Sequence, residues 1–167
     1  MKTHGAKDYF LNNLFYFITL IIYFLANLHL LQVSDSIRLF SSTDPLDYIN
    51  SAKSIIYCKD FAYLEINCLP KTWNTPGYPL FLALHMVLFE KFILYVVISQ
   101  IILLLMTAYF SKKIISIYNK QSARWIFILI LFNPNSFSTA HLIQTETLFT
   151  FLLVLISTKY DLNFSFI

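Results

Sequence analysis

Glycine is nearly missing from this chain, with 2 among 167 residues, and cysteine is equally scarce at 2. So little glycine fits an all-helical build, and two cysteines without neighbouring metal-type ligands do not make a metal site. Charge is also sparse. Asp, Glu, Lys and Arg together make up 13% of the residues, and the net charge of +3 is dispersed. No basic stripe is interleaved with aromatics on a polar face, which excludes a nucleic-acid surface. No internal repeat or low-complexity segment is visible. What fills the chain is apolar: 57% of the residues are hydrophobic and 18% aromatic. A water-soluble domain of this size would have too little polar surface to cover itself. The composition therefore predicts a protein whose solvent is membrane lipid, where helices satisfy their own backbone groups.

The apolar runs order the chain. Leu14 to Val33 is long enough to cross roughly 30 Å of hydrocarbon, follows Lys2 and Lys7, and carries no small-residue cleavage pattern, so it reads as an uncleaved first span. Residues 34–76 form a long mixed loop in which Arg38, Lys53, Lys59 and Lys71 are outnumbered by Asp35, Asp44, Asp47, Asp60 and Glu65. Ser111 to Arg124 instead carries Lys112, Lys113, Lys120 and Arg124 with no acid. The positive-inside rule places that basic segment and the amino terminus in the cytoplasm and the acidic loop outside. Two apolar runs separate the loops, and two full crossings would return the chain to the wrong side. Gly77 to Phe89 is short for a crossing, so it is expected to dip into the outer leaflet while Phe92 to Phe110 crosses. Asn133, Pro134 and Asn135 stop the run begun at Trp125, and Leu148 to Ser157 re-enters. The expected fold class is all-α: a polytopic integral membrane helical bundle with a partly helical outer loop between its first two hydrophobic segments.

Chemistry concentrates in that outer loop. Asp44 and Pro45 read as a helix start, since proline suits the first helical position and aspartate caps free amides. Leu46, Ile49, Ala52 and Ile56 then fall on one face, as in a helix lying on a membrane surface. Asp44 reads first as a cap, with Asp47 near the helix dipole; the other reading, which the cap does not exclude, is a general base held at the membrane mouth. Cys58 and Cys68 share the loop and are free to pair in an oxidising compartment. His29 and His85 lie in apolar runs without a second ligand at helical spacing. His141, close to Glu146, is the better site candidate, beside the ordinary role of an interhelical hydrogen-bonding group.

Asp44, Tyr48 and Ala52, then Thr75-Pro76-Gly77-Tyr78-Pro79 with Leu80 to Ala83, Gln100, Asn133-Pro134, and Thr145-Glu146-Thr147-Leu148-Phe149 form an ordered set. This set resembles the GT-C glycosyltransferases, which include the dolichyl-phosphate-mannose protein mannosyltransferases and the aminoarabinose transferases of lipid A. The resemblance covers most of residues 40 to 155. It implies a multi-pass protein of a bacterial inner membrane that moves sugar from a polyprenyl-phosphate donor to an acceptor on the non-cytoplasmic side. In the family an acid of the first outer loop acts as base or helps to hold a divalent metal. Asp44 matches that position by its spacing to Tyr48, with Asp47 second, and Glu146 matches a later acid at the same face. Tyr48, Lys71, Tyr78 and His141 are the residues then expected to bind substrate. Many relatives carry an arginine just before the Thr-Pro-Gly-Tyr-Pro run, where this chain has Asn74, so a phosphate contact is missing or displaced to Lys71. Family members are also commonly longer. Residues 1–167 are expected to be an amino-terminal portion, either part of a split enzyme or an inactive remnant or small partner subunit.

Overall fold

The computed structural model describes residues 3–33, 43–59, 62–63, 68–70 and 75–164. The described elements are, in order, α1 (Thr3–Val33), α2 (Thr43–Cys58), β1 (Ala62–Tyr63), β2 (Leu69–Pro70), α3 (Gly77–Leu88), α4 (Phe92–Tyr118), α5 (Lys120–Phe132), α6 (Pro134–Thr139) and α7 (Glu146–Phe164). The fold is helical apart from β1 and β2, which pair as a two-residue antiparallel ribbon with Ala62 opposite Pro70. The chain divides into two compact units, Met1–Asp35 and Ser36–Ile167.

The first unit is helix α1. Its window Asn13–Leu31 is long and apolar enough to cross a membrane, and Phe17, Phe24 and Leu25 are each about three-fifths exposed. Its polar side chains fold back on their own turn: the Thr19 hydroxyl donates to the Phe15 carbonyl at 2.8 Å and the Asn27 amide to the Tyr23 carbonyl at 2.6 Å. Such back-bonding satisfies a donor where water is scarce.

In the second unit α2 packs on α3, and α4 packs on α3, α5 and α7. Ile49 and Ala52 of α2 are buried with Tyr78, Leu82 and Ala83 of α3, Val96 of α4 and Ile143 of the α6–α7 connection. The expected apolar face of α2 is therefore only partly correct. Ile49 and Ala52 face protein, Ile56 packs at the margin, and Leu46 remains half exposed. Ser51 and Ser54, buried on the same helix, donate to the Asp47 and Ser51 carbonyls.

Helix α4 is the second helix long and apolar enough to cross a membrane. It runs on through Lys112 and Lys113 to Tyr118, so the basic segment expected as a loop is mostly helix. No glycine or proline interrupts Ser111 to Tyr118, and long lysine stems can lie along an apolar helix with their ammonium groups turned outward. The break comes at Asn119, whose extended backbone ends α4 and whose side chain accepts from Gln121 N–H at 2.8 Å and Ser122 N–H at 3.1 Å, capping α5. Asn133 repeats the device. It stops α5, as the asparagine–proline pair predicts, and it also accepts from Asn135 and Ser136 N–H, capping the short helix α6 that Pro134 opens.

Candidate functional site at the α2, α3 and α7 ends

Tyr78 is the centre of the arrangement. It sits in the first turn of α3, 3% exposed, and its hydroxyl donates to Oε1 of Gln100 at 2.7 Å. Gln100, fully buried on α4, turns its amide nitrogen toward the carbonyls of Thr139 (3.1 Å), Ala140 (3.3 Å) and Leu142 (2.7 Å). These carbonyls belong to the end of α6 and the connection that follows. One side chain thus holds the start of α3 against the segment leading into α7. Tyr48 on α2 meets the Tyr78 ring edge-on with centroids 5.2 Å apart, and Phe81 stacks on its other side.

Glu146 opens α7 and is exposed. Burial raises the pKa of the Tyr78 phenol. The backbone amide of Gln144 opposes that rise, while the Glu146 carboxylate and Tyr48 add to it. The phenol therefore stays protonated and acts as a hydrogen-bond donor, and Glu146 lies within electrostatic reach of it.

Of the residues expected to act, the structure brings Tyr48 and Tyr78 into contact, while Glu146 stands at the start of α7. Asp47 is on α2 and exposed. Asp44 belongs to α2 by its backbone, one helical turn before Tyr48, and its side chain lies outside the described part. Lys71 lies outside the described residues. His141 is half-buried: Nδ1 is 2.8 Å from the Phe137 carbonyl, and Nε2 is buried with no partner among the described residues. Cys58 and Cys68 are joined by a disulfide that ties the end of α2 to the residue before β2. His85, expected to be an ordinary apolar-run residue, bridges α3 and α4 through Ser99 Oγ at 2.8 Å while its Nδ1 faces the Phe81 carbonyl.

No three His, Cys, Asp or Glu side chains converge among the described residues.

A feature that sequence reasoning missed lies beside Glu146. A cavity of about 330 Å³ opens between α4, α5, α6 and α7, lined by Thr107, Ser111, Asn135, Thr139, Glu146 and Thr147 among others. Its signal was present as hydroxyl pairs at helical spacing in apolar runs, Thr107 with Ser111 and Thr147 with Thr150.

No protein-family model matches the chain, and neither a curated protein nor a solved structure shows significant similarity to it.

Proposed function

We propose that this chain is a multi-pass membrane protein of GT-C glycosyltransferase type, acting on a polyprenyl-phosphate sugar at the non-cytoplasmic face. The observation that carries the reading is the junction of Tyr48, Tyr78 and Gln100, where the two rings meet edge-on and the Tyr78 hydroxyl donates to the glutamine. These three come from separate pieces of the ordered motif set, and a shared site is what a common substrate requires.

Membrane placement rests on physical features of the helices. Leu84, Val87 and Leu88 on α3, Leu129 on α5 and Phe149 on α7 are each more than half exposed, and outward apolar surface on this scale needs lipid. The 12 residues of α3 span about 18 Å, short of a hydrocarbon core, whereas the 27 of α4 span about 40 Å. A dipping α3 and a crossing α4 put the acid-rich loop and the basic segment on opposite faces. The Cys58–Cys68 disulfide suits an oxidising compartment on the loop's side.

In this reading the acceptor hydroxyl gives its proton to a carboxylate, Asp44 first and Glu146 second. Its oxygen then attacks the anomeric carbon as the bond to the phosphate oxygen breaks and the phosphate leaves with the electron pair. Tyr78 and Tyr48 order the entrance. Lys71, and Lys53 exposed on α2, are the cations nearest in sequence for the departing phosphate.

The test is transfer of labelled sugar from a polyprenyl-phosphate donor in membranes carrying this chain, alone and with the product encoded downstream. Transfer that depends on the chain is expected. Its absence under both conditions, with the chain folded and inserted, would overturn the enzymatic reading in favour of an inactive remnant or a partner subunit.

A further inference from the structure

Helices α4 and α5 part at Asn119 and run back along each other. The Lys112 ammonium lies over the Phe127 ring, 5.7 Å from its centroid, with the break midway between the two in sequence. Helix α7 runs in the same direction as α4. Its lead-in meets α4 at Gln100 through the Leu142 carbonyl, and further along both helices Phe151 meets Phe110 with ring centroids 6.4 Å apart. Two more turns on each helix, about 12 Å at 1.5 Å per residue, bring Lys159 level with Tyr118 at the α4 end. The fold therefore gathers Lys112, Lys113, Lys120, Arg124 and Lys159 from three helices at one end of the bundle.

This end carries charge of one sign. From Phe92 to Phe132 there is no aspartate or glutamate. On α7, Glu146 stands at the opposite end, and the side chain of Asp161 lies outside the described part. Lys113, Lys120, Arg124 and Lys159 are all exposed. Large apolar side chains lie exposed beside them: Trp125 and Leu129 one turn apart on α5, each about three-fifths exposed, and Tyr118 at the end of α4. A soluble acidic partner or a free phosphate is matched by the cations alone and leaves that apolar surface unused. A phospholipid matches both, with its phosphate on the cations and its chains along Trp125 and Leu129. A choline head group brings a cation of its own to this patch, whereas an anionic head group does not.

We infer that this end of the bundle holds an anionic phospholipid, its head group on Lys113, Lys120 and Arg124 and its acyl chains along Trp125 and Leu129. The inference rests on the membrane placement argued above and is independent of sugar transfer.

The experiment uses the full chain with Trp73→Phe, which leaves Trp125 as the single tryptophan. The protein is inserted in phosphatidylcholine vesicles, and brominated phosphatidylglycerol or brominated phosphatidylcholine is added as a contact quencher. Phosphatidylglycerol is expected to quench Trp125 at a several-fold lower mole fraction than phosphatidylcholine, and the preference should shrink as salt screens the exposed charges. Lys120→Gln and Arg124→Gln should each lower the preference by up to about fivefold, the effect of one basic residue at an anionic surface. Arg124→Lys should retain it, and so should Lys91→Gln at the other end of α4. Should either glutamine variant fail to fold, Lys113→Gln reads the same face. Equal quenching by the two lipids, a loss with Lys91→Gln as large as with Lys120→Gln, or removal of the phosphatidylglycerol signal by polyglutamate, which would mark a face for acidic protein, would each overturn the proposal. Failure of the chain to insert would remove the membrane reading and the proposal with it, whereas insertion without lipid preference would sink the proposal alone.

Discussion

Tyr78 and Gln100 form a buried donor–acceptor pair across α3 and α4, with the phenol 2.7 Å from Oε1, and the same Gln100 amide serves three carbonyls between α6 and α7. Removing the glutamine leaves the phenol and those carbonyls without their buried partner. Gln100→Leu is therefore expected to cost at least about 1–3 kcal/mol, the penalty for stranding buried polar groups. Tyr78→Phe, which removes a donor and leaves one amide oxygen, should cost less. Thermal unfolding of the two variants and the double variant in one detergent measures the coupling, and additive effects would refute a cooperative node.

The Cys58–Cys68 bond closes a short loop at the end of α2. Replacing both cysteines with serine should lower stability by about 2–4 kcal/mol, chiefly by freeing the unfolded chain. The check is chemical unfolding of both forms, together with maleimide labelling before and after reduction. Labelling without reductant would show that the pair is not joined in the cell.

Opposite charge balance on the two sides of α4 predicts opposite accessibility. In a background lacking Cys58 and Cys68, a cysteine at Lys59 should react with an impermeant maleimide added outside cells, and one at Lys120 should react only after permeabilisation. Both positions are exposed in the fold, so burial does not confuse the readout. Equal outside labelling would restore two full crossings for residues 77 to 110 and move the acid-rich loop relative to the basic segment.

Asp44 and Asp47 differ in what an amide can replace. Asparagine caps a helix about as well as aspartate but cannot take a proton at neutral pH. In the transfer assay Asp44→Asn should leave expression and protease resistance intact and slow transfer by about 100-fold or more, the usual contribution of a general base. Asp47→Asn, on an exposed turn of α2, should have the smaller effect. Wild-type transfer by the Asp44 variant would leave the cap as that residue's role.

The sequence by itself determined the helical class and the boundaries at Val33, Gly77, Phe92 and Phe132, because apolar run length, Asn-Pro stops and capping preferences act within a few residues of chain. Asn133 with Pro134 ends one helix and starts the next as those local rules demand, and Cys58 and Cys68 were legible as partners through their shared loop. Local rules did not reveal that α4 continues through Lys112 and Lys113, because helix continuation there depends on the absence of a breaker rather than on charge. Only the tertiary structure decided what Gln100 does. A glutamine in an apolar run reports nothing about which carbonyls lie opposite it, and those carbonyls come from residues 39 to 42 positions away. The same holds for the Thr107, Thr139 and Thr147 cavity, whose walls come from four helices. Each hydroxyl is unremarkable alone, and only packing puts the three around one space.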